Sequence, residues 1–202
     1  MPRVKVKRKS TLIDMTAMSD VTVLLLTFFM LTSTFIQKEP VQVFTPASVS
    51  EIKIPEINLL QVLVDQQGKV FISLDKQSDR VAVLEAMGEM YGIEFTSEEV
   101  NKFRLANSFG VPIREMKSFL ALKTDKQDEL LPTKGIPCDS INNQFKEWVL
   151  FARKNNPNLK IAIKADQVTP YPMIKSVMSS LQEIRENRYN LITSLKVVSS
   201  DM

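Results

Sequence analysis

From Val21 to Ile36 the chain reads VTVLLLTFFMLTSTFI, with no charge, glycine or proline. Taken from Met15 to Gln37, the pattern predicts one helix of about 23 residues, roughly 34 Å long. That length crosses a hydrocarbon core of about 30 Å. The next stretch, 38–58 (KEPVQVFTPASVSEIKIPEIN), carries Pro40, Pro46 and Pro55, which break helices and hold the backbone extended. Val41 and Val43 alternate there as in a strand that adds to a sheet edge.

From Leu59 the pattern becomes that of a folded domain. Leu59–Val64 and Lys69–Leu74 are β-rich runs joined by Asp65-Gln66-Gln67-Gly68, a hairpin signature. Val83, Leu84, Met87 and Met90 fall at helical spacing within 79–91, and Thr96-x-x-Glu99 is a capping box opening a helix to about Asn107. Residues 110–137 carry Pro112, Pro132 and Pro137 and predict a short helix near 114–121 followed by a loop. Ile141, Phe145, Trp148, Val149 and Ala152 line a helix that opens at Asp139-Ser140 and stops near Pro157. A strand over 159–164, a helix over 172–187 and a last strand over 190–198 complete the order ββα…αβαβ. The fold class is therefore a single N-terminal transmembrane α-helix followed by an α+β domain, a small sheet with helices on one face. The organisation expected is a basic arm (1–12), a membrane span (13–37), an extended linker (38–58) and the α+β domain (59–202).

The polar exceptions inside the span matter most. Asp20 sits about a turn and a half from the helix start, and a carboxylate at the centre of a membrane helix costs on the order of 2.5–3.5 kcal/mol on insertion scales. Thr16, Asp20, Thr27 and Thr34 fall within about 40° of one another at 100° per residue. This stripe faces a second protein or a hydrated channel, since lipid offers it nothing; alternatively the threonines bond back to the preceding turn.

Charge orients the chain. Arg3, Lys5, Lys7, Arg8 and Lys9 lie in the first ten residues, leaving 21 basic against 23 acidic side chains in the rest. A basic arm directly before a span sets topology by the positive-inside rule, with the N-terminus cytoplasmic and the domain exported; nucleic-acid binding is the weaker reading. A signal peptide shares this order, but residues 34–38 offer no small-x-small cleavage site, which favours a retained anchor. With no histidine, the Ser-His and Cys-His nucleophile pairs and the commonest zinc ligand are excluded. The single cysteine, Cys138, reads as a small, partly buried residue. No glycine-rich phosphate loop, cofactor signature or metal-ligand spacing is present, so the sequence does not read as an enzyme. Asp166, at the end of a strand with no acid–base partner, reads as turn chemistry.

The run Ile13–Phe35 closely resembles the transmembrane segment of the ExbD/TolR family. The shared pattern is Thr-Pro-x-x-Asp-Val followed by an apolar run ending in Phe-Met, here Thr16-Ala17-Met18-Ser19-Asp20-Val21 and Phe29-Met30. Ala17 replaces the usual proline, so the helix is free to begin earlier. Val41-x-Val43-x-x-Pro46-Ala47-Ser48 is similar to the family's linker, with Thr45 in place of leucine. Ile161–Asp166, Tyr171 and the Lys175-x-x-Met178-x-x-Leu181 helix are similar to its periplasmic domain. Relative to shorter members, 77–137 is an insertion.

The resemblance implies a bacterial inner-membrane subunit that couples the proton motive force to outer-membrane transport. It makes Asp20 the proton carrier, with the Thr16, Thr27 and Thr34 stripe facing the pore. Val41, Val43 and Pro46 become partner-binding linker residues of an order–disorder switch, whereas the residues alone read equally as a spacer that lifts the domain off the membrane. The implied assembly is a homodimer inside an ExbB/TolQ-like multi-span protein, acting on a TonB-like periplasmic protein. Rival expectations are a TolR-like role in envelope integrity and a passive membrane-tethered binding module; a flagellar stator subunit would need a larger peptidoglycan-binding domain.

Overall fold

The computed structural model describes residues 15–33, 39–48, 57–139 and 142–195. The chain divides into two compact units, residues 1–37 and 38–202. In the first, α1 runs Met15–Thr32, 18 residues, and none of them is buried within the unit. A helix that is apolar nearly all round has to bury its surface in a membrane or another protein. By length and composition α1 is able to cross a bilayer. Against the expected run to Gln37, Ser33 is already outside the helix, and 34–37 fall outside the described residues.

The second unit begins with β1 (Ala47–Ser48), then β2 (Leu59–Val64) and β3 (Val70–Leu74). Helices α2 (Gln77–Tyr91), α3 (Ser97–Leu105), α4 (Ile113–Ala121) and α5 (Thr124–Leu130) follow, with a 3-10 turn at Leu131–Thr133. The chain then forms α6 (Gln144–Asn155), β4 (Lys160–Ala165), α7 (Tyr171–Glu183), β5 (Tyr189–Leu191) and β6 (Ser194–Leu195).

The four-stranded sheet has the order β3-β2-β4-β5. β2 is antiparallel to β3 and parallel to β4, which is parallel to β5. Period-2 alternation separates its faces. Leu60, Val62 and Val64, Val70, Ile72 and Leu74, and Ile161, Ile163 and Ala165 join the buried core with residues of α2, α3, α4, α6 and α7. The helices thus cover one face, the α+β arrangement expected.

The hairpin closes at Gly68, whose φ of 81° is in the left-handed region that glycine adopts without strain. The capping box also forms: Thr96 N donates to Glu99 Oε2 at 2.8 Å and Thr96 Oγ1 accepts from Glu99 N.

Three expectations need correction. The stretch after α4, expected as a loop, contains α5, whose Gln127 side chain donates to the carbonyls of Phe119, Leu120 and Leu122. These carbonyls close the end of α4, where Lys102 Nζ also donates to Leu120 O and Leu122 O, so a polar glutamine ties the two short helices together. The helix expected to open at Asp139-Ser140 starts at Gln144, because Asn143 Oδ1 accepts Lys146 N and performs the capping; Ile141 lies outside the described residues. The last strand is divided into β5 and β6 by Ile192 and Thr193, and β6 leaves the main sheet to pair with β1.

Segment 77–137 is more than surface decoration. It closes the outer edge of β3, where Ile72 exchanges two backbone hydrogen bonds with Phe109 (2.8 and 2.9 Å) and Val70 O accepts Ile136 N. Buried Arg80 holds the end of α3, donating to the carbonyls of Arg104, Ala106 and Asp75. Phe109 packs at a tilt against both Phe103 and Trp148, with ring centroids 4.9 and 4.7 Å away, and those two rings stack on each other. An edge strand paired in this way is closed to further strand addition.

Candidate functional sites: the span carboxylate and the docked linker

The first site is on α1. Asp20 is exposed on the helix surface, as are Thr16 and Thr27; Thr34 lies outside the described residues. The Thr27 hydroxyl donates to Leu24 O at 2.9 Å, and Thr22 and Thr32 do the same to Ser19 O and Phe28 O. Back-bonding of this kind lets a threonine sit in an apolar helix with its donor satisfied. An ionised carboxylate has no hydrogen to give to a carbonyl, so the helix offers Asp20 no such relief. Within the stripe, Asp20 is the group whose polarity the helix itself cannot satisfy.

The second site is the linker, which lies on the domain. Glu39 holds Lys164 Nζ through both carboxylate oxygens, at 2.7 and 2.6 Å. Five residues on, Phe44 N donates to Asp166 Oδ2 at 2.9 Å, and Phe44 O accepts Gln167 N at 2.9 Å. The linker then enters β1, where Ala47 and Ser48 pair in parallel with Ser194 and Leu195. Between these ties Val41, Val43 and Thr45 are half-buried, while Gln42, Phe44 and Pro46 face solvent. That is the period-2 pattern of extended chain lying on a surface.

Two of the ties fall at the C-terminal end of β4, one on Lys164 and one on the Asp166-Gln167 turn just beyond it, and the third is β6. Lys164 alternates with the core-facing Ile163 and Ala165, so it projects to the sheet face opposite the helices. On that face Leu63, Phe71 and Ala162 are 2% exposed or less. Phe71 is held there by Gly110, since a Cβ at that glycine would lie 2.0 Å from the Phe71 ring.

Asp166 performs turn chemistry and more. Oδ1 accepts Val168 N at 3.0 Å, the local bond its position after a strand predicts. Oδ2 is left for Phe44, 122 residues away in sequence. Hydrogen bonds from the Val168 and Phe44 amides hold this carboxyl below the usual carboxylate range. Thr169 secures the same turn, its hydroxyl donating to Asp65 O at 2.9 Å.

Sequence reasoning placed Val41, Val43 and Pro46 on the linker but missed Glu39 and Lys164 as its clasp. Their exchange of charge spans most of the domain's sequence, and only the alternation in β4, which turns Lys164 away from the core, hinted at it. Cys138 is half-buried as expected, with Sγ 3.5 Å from Ser180 Oγ, and burial pushes its thiol pKa up. A family model described as "Biopolymer transport protein ExbD/TolR" matches residues 6–196. No curated protein and no solved structure matches the chain.

Proposed function

We propose, for a chain that belongs to the ExbD/TolR family of biopolymer transport proteins, the role of a proton-carrying subunit in an inner-membrane motor of the ExbB-ExbD-TonB type. Members of this family are anchored by an N-terminal helix and work with ExbB/TolQ-type membrane proteins and TonB- or Pal-type partners. One observation supports the finer reading: Asp20 is the one charged side chain of α1, in which Thr22, Thr27 and Thr32 bond back to the helix's own carbonyls. A membrane ionisable group of this kind is retained for a task.

In this reading two copies place α1 inside a multi-span partner, since one helix encloses no channel. Asp20 takes a proton from the periplasmic side and releases it to the cytoplasm. Each proton crossing 100 mV delivers about 2.3 kcal/mol, which moves the helix pair. Thr16, Thr27 and Thr34 line the path on the same face. The domain, exported beyond the membrane, passes the motion to a TonB-like protein.

The linker is the second working element. Val41 and Val43 turn toward the domain in the docked arrangement, so a partner reaches them only after the Glu39 and Phe44 ties open, whereas Pro46 is exposed already. Linker docking and partner engagement therefore compete.

The test is growth on an iron source whose uptake requires a TonB-type system, with Asp20→Asn in place of the parent and assembly checked by co-purification. Loss of growth with the complex intact supports the reading. Normal growth in the variant, in cells where deleting the protein abolishes growth, reduces α1 to an anchor.

A further inference from the structure

One corner of the domain exposes apolar side chains that its own fold prevents from retreating. Val168 is 64% exposed, Tyr171 67% and Met173 45%, all in the β4–α7 turn or the first turn of α7. Phe44, 64% exposed, is fixed to the same turn through its bonds to Asp166 and Gln167. The turn is rigid. Asp166 holds the Val168 amide, the buried Thr169 hydroxyl is tied to Asp65 O, and Pro170 and Pro172 flank Tyr171 with fixed φ. Met173 packs over Gly68, where a Cβ would lie 2.6 Å from its Cγ.

The local charges are already spent. Lys164 is paired with Glu39, and both Asp166 oxygens accept hydrogen bonds. Lys175, exposed one turn into α7, is the free cation of this corner among the described residues.

We propose that this corner is a bilayer-docking tip: Phe44, Val168 and Tyr171 enter the headgroup layer of the membrane in which the chain is anchored, and Lys175 adds attraction to anionic lipid. Reach favours the bilayer as the occupant. Phe44 follows Ser33 by roughly eleven residues, a chain that spans at most about 40 Å, so the membrane is always within the tether of the residue fixed to this turn. Exposure agrees, because Phe44, Val168 and Tyr171 each leave about two-thirds of their surface to solvent. Phe44, Val168 and Tyr171 do not line the described cavities. Projecting aromatic and aliphatic tips suit a deformable interface, and tyrosine, apolar in body and polar at its end, is enriched there. The proposal is independent of proton carriage by Asp20.

The test uses the full chain in nanodiscs of phosphatidylethanolamine and phosphatidylglycerol, with and without bromine on the upper acyl carbons. In the Tyr171→Trp variant the introduced indole loses emission in the brominated discs. Trp148, 1% exposed in the core, keeps its emission and reports that the domain is folded. Adding Val168→Asp restores the lost emission. Equal emission in both discs, for Tyr171→Trp and for Val168→Trp, overturns the proposal. So does an indole that is shielded only when a partner protein is added, which would make the corner a protein interface.

Discussion

The position of Asp20 along α1 sets how strongly a membrane potential acts on its proton. α1 is 18 residues long, about 27 Å, and Asp20 stands five residues from Met15, about 7.5 Å in. With the field taken as uniform along the helix, a proton arriving from the C-terminal side crosses about 0.7 of the potential. At 100 mV that is about 1.6 kcal/mol, or about a 15-fold change in occupancy of the carboxyl. The remaining third or so drives release. Asp20→Asn keeps the size and most of the polarity of the side chain but removes the titrating oxygen, so both effects vanish together. The assay is proton uptake into proteoliposomes holding the complex, read with an internal pH dye while a potassium gradient sets the potential. The parent flux rises steeply with voltage; the Asp20→Asn flux falls to that of empty vesicles. A variant flux equal to the parent's, at any voltage, refutes the assignment. A parent flux indifferent to voltage refutes the placement of Asp20 within the field.

Further outcomes follow from the domain. Gly110→Ala drives a Cβ into the buried Phe71 ring and destabilises by about 1–3 kcal/mol. In a domain of this size that lowers Tm by roughly 3–10 °C, measurable by calorimetry, and combining it with Phe71→Leu costs less than the sum of the two. Thr96→Ala removes the capping box of α3 at a cost of about 1 kcal/mol; an unchanged Tm counts against that cap. The Asp166 carboxyl is held below its ordinary range, so the stability it lends to linker docking is complete above the unfolded carboxylate value. That stability is lost as pH falls through the lower folded value. The protection of the Phe44 amide, its exchange rate divided by the intrinsic rate at each pH, should therefore fall on acidification, and in Asp166→Asn it should be low and indifferent to acid.

The regions of the fold legible in the sequence were those written in local chemistry. The hairpin was legible because Gly68 closes it, and α3 because Thr96 and Glu99 cap each other. The strands themselves were legible as β-rich runs, but their faces were not, since Leu63 and Ala162 are apolar and buried on the face opposite the helices. α5 was hidden because its sequence, TDKQDEL, has no apolar face; Gln127 holds it through carbonyls supplied by another helix. The start of α6 was misplaced because Asp139, Ser140 and Asn143 are all good caps, and tertiary contacts of Asn143 with Ser180 decide among them.

The same divide runs through the candidate sites. Asp20 declares itself because a carboxylate in an apolar run has no local excuse. The linker clasp does not, because Glu39 and Lys164, like Phe44 and Asp166, are ordinary surface residues until the fold brings them together.

Mechanically, the docked linker is a series of fasteners. Tension entering at Glu39 loads the Lys164 pair first, the Phe44 bonds next and the short β1–β6 pairing last. The ties therefore give way in succession, and the peak force is that of the strongest single tie. Opening them all frees the stretch from Glu39 to Ser48, roughly 35 Å of slack when drawn out, and the load reaches the four-stranded sheet only where Lys164 and the Asp166 turn anchor the ties at the end of β4. A pull on this tether lengthens it before it deforms the domain.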